Sequence, residues 1–221
     1  MKQFDFGMAP PAPLAELLRP KKLDEVVGQE DLLGPDGRLH LMLAQGNLGS
    51  VILWGPPGTG KTTIARLLAG AGDMVFEPLS AVFDGVAELR KVFARAEERR
   101  QAGQRTLLFV DEVHQFNRGQ QDGLLPRVED GTVTLVGATT ENPSFAPNDA
   151  LLSRVQVLRL ERLDKAALEA ILARVEKHIG NPLPLDMAAQ ADLCTMADGD
   201  GRYLLNMADL LIDQPEKPTL D

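Results

Sequence analysis

The chain has 221 residues, 44% of them hydrophobic and 25% charged, which suffices for one α/β domain with a small accessory domain. A formal charge of −9 excludes a uniformly basic surface for wrapping DNA, while leaving room for a local basic stripe, and 5% aromatic content makes base-stacking platforms few. Cys194 is the sole cysteine, which excludes an internal disulfide and fits a reducing cytoplasm; no apolar run reaches membrane-span length, and Met1 to Pro20 lacks a signal peptide's apolar stretch.

Residues 1–20 read as a flexible tail, because Pro10, Pro11 and Pro13 oppose regular structure, with one short helical turn expected over Leu14 to Leu18. From Leu23 to Leu160 apolar strands alternate with helices, the strands being expected at 51–54, 74–79, 106–110, 133–137 and 155–160. Such alternation predicts a doubly wound parallel sheet with helices on both faces.

The first strand, Val51 to Trp54, runs into Gly55-Pro56-Pro57-Gly58-Thr59-Gly60-Lys61-Thr62, and a helix follows over Thr63 to Ala69. This is G-x-x-x-x-G-K-[ST] in its required context, strand before and helix after. Glycines allow a tight turn whose N–H groups converge on phosphate oxygens at a helix N-terminus. Lys61 is expected to reach the β- and γ-phosphates of a nucleoside triphosphate, and the Thr62 hydroxyl to hold Mg²⁺. Beyond the second strand, Val86, Leu89, Val92, Phe93 and Ala96 recur at helical spacing as a core face. The opposite face carries Arg90, Lys91, Arg95, Arg99 and Arg100, either a solvated helix surface or an electrostatic track for DNA.

Leu107 to Val110 form a strand buried on both faces, and Asp111 and Glu112 emerge at its carboxyl end, where such sheets place ligands. Asp111 is expected in the Mg²⁺ shell, and Glu112 to orient or deprotonate the attacking water. His114 argues little for zinc, since the chain has 3 histidines, one cysteine and no paired ligand spacing. Phe116 reads either as a core anchor or as a stacking platform. Asp130-Gly131 marks a turn before the fourth strand. After Leu163, Asp164 is placed to cap a helix whose apolar face is Leu168, Ile171, Leu172, Val175 and Ile179. Asn181-Pro182-Leu183-Pro184 interrupts it, further helices are expected near 186–198 and 202–213, and Gln214 to Asp221 reads as a frayed end.

Several stretches together carry a resemblance. Arg19-Pro20-Lys21-Lys22-Leu23-Asp24-Glu25-Val26-Val27-Gly28-Gln29 resembles the segment that precedes the P-loop in clamp-loader-like AAA+ ATPases. The run Asp111 to Asp122, with Glu129-Asp130-Gly131-Thr132 and Gly137 to Phe145, resembles the replication-associated recombination protein A family, from about Arg19 to about Leu211. The resemblance implies a P-loop AAA+ parallel sheet flanked by helices over 21–162 and a small all-helical lid over 163–213. It implies ATP/ADP and Mg²⁺ as ligands, with Val26, Val27 and Gly28 against the adenine and Gly55 through Thr63 on the phosphates. Thr140 is implied as sensor 1, with Thr139 the close alternative. Arg154, of Ser153-Arg154, is implied as a catalytic arginine donated in trans, and Arg202, of Gly199-Asp200-Gly201-Arg202, as the cis arginine of the lid.

The chain departs from that pattern at Gln115, where relatives usually carry a basic residue, and it ends where relatives continue into an oligomerisation domain. The function implied is a DNA-dependent ATPase acting at stalled forks or single-stranded DNA, cytoplasmic and nucleoid-associated. Its partners would be DNA, copies of itself, single-strand-binding protein and other replication proteins, with no membrane. The alternative is a nucleotide-gated module that recruits replication proteins with negligible hydrolysis; a small-molecule kinase is a remote third.

Overall fold

The computed structural model describes residues 12–143 and 149–212. The tail up to residue 11, the end of the strand-four motif at Ser144 and Phe145, and the frayed end from residue 214 therefore lie outside the described residues.

Five parallel strands form one sheet: β1 (Val51–Trp54), β2 (Met74–Ser80), β3 (Arg105–Asp111), β4 (Thr134–Thr139) and β5 (Gln156–Arg159), in the order β2-β3-β4-β1-β5. Alternate side chains of β3 feed opposite faces. Leu107 and Phe109 join Leu53, Ile64 and Leu68 on one side, while Leu108 and Val110 join Leu89, Val92 and Leu124 on the other. Burial on both faces explains why these strands are continuous apolar runs. The first face is covered by α2 (Glu30–Leu33), α3 (Arg38–Ala44) and α4 (Lys61–Ala71); the second by α5 (Val86–Gln101), α6 (Arg118–Glu129) and α7 (Asp149–Leu152).

β4 lies between β1 and β3, with Trp54 opposite Thr139 and Val110 opposite Gly137. The carboxyl ends of β1, β3 and β4 thus open side by side at the edge where parallel sheets bind ligands. Val113–Gln115 makes a short 3-10 turn after β3, and α6 then starts on an Asn117–Gln120 capping box.

Three further helices, α8 (Lys165–Ile179), α9 (Met187–Ala197) and α10 (Gly201–Ile212), build a separate core around Leu168, Leu172, Val175 and Leu204. The Asp164 carboxylate accepts from Ala167 N at 2.8 Å, and Asp186 caps α9 on Ala189 N at the same distance. The sequence-based tail to residue 20 is too long. Leu14, in α1 (Leu14–Leu17), is 5% exposed and belongs to the lid core, with Leu18 packed beside it. Its apolar partners lie more than a hundred residues away, so local proline content gave no sign of them.

One alternative left open by the sequence closes here, and the structure bears on another. Phe116 is 3% exposed and anchors the second core. The basic face of α5 is largely paired: Arg95 and Arg99 bind Glu77 of β2 at 2.9 and 2.6 Å, Lys91 binds Glu88 at 2.9 Å, and Arg100 reaches Asp130 at 3.6 Å. An intramolecular charge network occupies most of the stripe that a DNA track would need.

Candidate nucleotide-binding site

The P-loop connects β1 to α4, and its conformation is dictated at Gly58. Its φ of +67° lies in the left-handed region, and a Cβ there would fall 1.8 Å from the Asp200 carboxylate oxygen. Lid and loop touch again where Gly201 N donates to Gly58 O at 3.2 Å. A Cβ at Gly201 would meet the terminal methyls of Leu163 at 2.9 Å and Ile171 at 3.0 Å, so those side chains would have to give way. Asp200 also caps α10, its carboxylate accepting from Tyr203 N at 2.9 Å. That cap sets Arg202 in the first turn of α10, beside the loop.

Lys61 is 8% exposed and its ammonium donates to the carbonyls of Gly55 and Pro56, both at 2.7 Å. Burial pulls its pKa below the ordinary lysine value; the carboxylates of Glu112 and Asp111 oppose that pull, and Arg202 adds to it. Two acids and a cationic lid residue are therefore within electrostatic reach of the P-loop lysine.

Asp111 ends β3, paired with Ser80, and its carbonyl accepts from Ala81 N at 2.9 Å. Glu112 takes a φ of +51°, unusual for a side-chain-bearing residue, and this turns its carboxylate toward the end of β4. There it accepts from Thr140 N and Thr140 Oγ1, each at 3.4 Å, with His114 Nδ1 at 3.3 Å. The His114 side chain is 7% exposed and so faces inward; its Nδ1 also lies 2.9 Å from Thr139 Oγ1, and its Nε2 3.5 Å from Glu141. Thr139 is fully buried against His114, whereas Thr140 lines the cleft.

One cleft of about 210 Å³ brings most of the expected residues together. Val26, Val27, Pro57 through Thr63, Asp111, Glu112, Thr140 and Arg202 all line it. Gly55 and Pro56 lie just behind, as acceptors for Lys61. Gly28 packs on Leu163 and Ala167 at the start of the lid. Arg154 does not line the cleft and lies two residues beyond the end of α7.

Residues that sequence reasoning missed line the lid end. Leu163, Ile171 and Leu205 supply an apolar wall, and Arg174 donates to Glu25 O at 2.6 Å. Arg19, which the sequence offered only as part of a family segment, donates to Thr63 Oγ1 at 3.1 Å. The helical periodicity marked Ile171 as a core position, but nothing local distinguishes a core wall from a ligand wall. Among the described residues no cluster of three or more His, Cys, Asp or Glu side chains is placed to hold a metal. The donor set of one hydroxyl, Thr62, and one carboxylate, Asp111, fits Mg²⁺, which keeps waters and takes phosphate oxygens for its remaining ligands.

The model of the ATPase family associated with various cellular activities matches residues 51–163. Replication-associated recombination protein A of Coxiella burnetii is 48% identical over 91% of this chain, and that of Escherichia coli 44% identical over 92%. Those alignments take in 46% and 47% of the two relatives, so the chain spans about half the length of the curated proteins it matches. The Thermotoga maritima RuvB Holliday junction branch migration motor superposes with a TM-score of 0.70 and 28% identity, over 86% of this chain and 64% of that one. The chain therefore belongs to the ATPase family associated with various cellular activities, in the branch represented by replication-associated recombination protein A.

Proposed function

We propose that the chain binds Mg²⁺–ATP in this cleft and hydrolyses it to ADP and phosphate, in assemblies of several copies engaged on forked or single-stranded DNA. The observation that carries this reading is the convergence of the P-loop, the acids after β3, Thr140 and the lid residue Arg202 on one cleft. The N-terminus of α4 and the loop N–H groups hold the phosphates, with Lys61 on the β- and γ-oxygens. Thr62 and Asp111 hold the ion, which neutralises charge developing on the transferred phosphoryl group. Glu112, held by Thr140 and His114, orients the attacking water and takes its proton. Val26, Val27 and Gly28 border the adenine, and Arg202 reports the phosphates to the lid.

Arg154 serves the site of a neighbouring copy. A trans arginine is worth about 10³–10⁵ in turnover in comparable phosphoryl-transfer sites, so an isolated copy binds ATP and turns it over slowly. The relatives' printed names tie them to replication-associated recombination, and the RuvB neighbour's to Holliday junction branch migration. Those names support DNA as the track; replication proteins, single-strand-binding protein among them, are part of the proposal. A cytoplasmic, nucleoid-associated location follows from the same reading; among the described residues no helix is long and apolar enough to cross a membrane.

The test is ATP turnover per copy across a wide protein concentration range, with and without forked and single-stranded DNA, using Lys61→Ala as the blank. Turnover that rises with both concentration and DNA is expected. A flat rate near the blank, with ATP binding intact, overturns the motor reading in favour of a nucleotide-gated module.

A further inference from the structure

Arg154 is tethered to its own chain on two sides. Its Nε donates to the carboxylate of Glu129, and its Nη1 donates to Ala150 O at 2.8 Å and Ser153 Oγ at 2.7 Å. Among the described residues Nη2 has no partner. These three bonds hold Nε and Nη1 from opposite sides, fix the plane of the guanidinium and leave Nη2 to donate to an anion. An arginine loses much rotamer freedom on binding, and one already held loses less at the moment of encounter.

The tether's origin matters as much as its geometry. Glu129 is the last residue of α6. That helix starts on its capping box directly after the 3-10 turn that follows Asp111 and Glu112, and Gln121 Nε2 ties it back to Phe116 O at 2.9 Å. One helix of 12 residues, about 18 Å at 1.5 Å per residue and carrying Pro126 in its last turn, thus runs from the acids of a chain's own site to Arg154.

We propose that Glu129 is a positioning residue that aims Arg154 at the neighbouring copy's ATP. This rests on the reading of Arg154 as a trans arginine. The tether is a half-exposed charge pair supported by two further bonds, with Arg154 39% and Glu129 49% exposed. Such a pair shifts an equilibrium about fivefold at most.

The experiment uses the whole chain in mixtures of two inactive variants, Lys61→Ala and Arg154→Ala, at a concentration and DNA level where the unsubstituted chain hydrolyses ATP. The mixture should regain turnover, since the Lys61→Ala copies lend Arg154 to the intact P-loops of the others. Glu129→Gln placed on the Lys61→Ala copies should then lower kcat about fivefold with KM for ATP unchanged. The same substitution on the Arg154→Ala copies should cost nothing further, because those copies have no arginine to aim. Equal losses in both placements mean a merely structural role and overturn the proposal. A gain in turnover, or no change in either placement, overturns it too. If the parent mixture regains nothing while Glu129 is still present, the trans reading itself fails, and the proposal falls with it.

Discussion

Substituting Gly58 by alanine tests whether lid and P-loop are built as one unit. The new Cβ meets the Asp200 Oδ1 at 1.8 Å and the Asp200 Cα at 2.9 Å, at a φ of +67°. Left-handed backbone costs a non-glycine residue about 1–2 kcal/mol. The carboxylate must also swing off Tyr203 N, and loss of such a cap costs about 0.5–2 kcal/mol. Together these lower stability by about 1.5–4 kcal/mol, or about 3–16 °C in Tm for a chain of this length. The assay is thermal unfolding without nucleotide, repeated with ATP, whose stabilising shift should shrink as the loop is displaced. Gly60→Ala is the control, since its φ of +97° carries the backbone cost while its nearest neighbour, Ile64 Cδ1, lies 3.9 Å away. In an Asp200→Ala background the cost of Gly58→Ala should fall by about 1 kcal/mol, the coupling expected of groups in contact. If Gly58→Ala costs the same with and without the Asp200 carboxylate, the steric argument is wrong.

Glu77 is 12% exposed between Arg95 and Arg99, and its hydrogen bond from Arg95 holds its pKa below the ordinary glutamate value against the opposing effect of burial. Its contribution is therefore complete above the unfolded value of about 4.5 and is lost as pH falls through the lower folded value. Glu77→Gln should cost about 1.5–3 kcal/mol at pH 7 and erase that acid-side slope in urea titrations; a slope that survives the substitution belongs to another group. His114→Ala should lower turnover about fivefold by releasing Glu112 and Thr139, with ATP affinity held, as kcat measured beside Kd will show. An equal loss of affinity would place His114 in nucleotide binding instead. Leu14→Ala, at 5% exposure in the lid core, should destabilise by about 2–5 kcal/mol and speed amide exchange in α8 to α10 more than in the sheet. Exchange that quickens in the sheet alone would mean α1 is no part of the lid.

The sheet was legible because parallel strands buried on both faces leave continuous apolar runs, and each expected strand lies within two residues of the observed one at either end. The lid helices announced themselves through caps such as Asp164 and through periodic Leu168, Leu172 and Val175. By contrast, α2 and α3 are short and broken by Gly34, Pro35 and Gly37, so no periodic signal separates them from loop. The phosphate end of the cleft is a local matter of consecutive residues, which is why Gly55 to Thr62 could be read directly. Its lid wall, by contrast, is assembled from Leu163, Ile171 and Leu205, whose spacing is that of any helix packing on a core. The ion pairs of the basic face of α5 were hidden for the same reason: the partner Glu77 sits on another element, 18 residues before Arg95.

The contacts of α1 give the first described residues a part in the mechanics of the molecule. Leu14 is embedded in the lid, and Arg19, five residues on, grips both Glu16, at 2.5 Å, and Thr63 of α4. The segment that leads into the sheet thus straps the lid to the P-loop helix, in addition to the lid's junction after β5 and its contacts at Gly58 and Glu25. A fluorescent dye at the start of α1 therefore reports lid angle, and one on α5 reports the frame. A surface tether attached at α1 would likewise hold the lid and one attached at α5 the frame, so the two placements separate lid motion from motion of the whole.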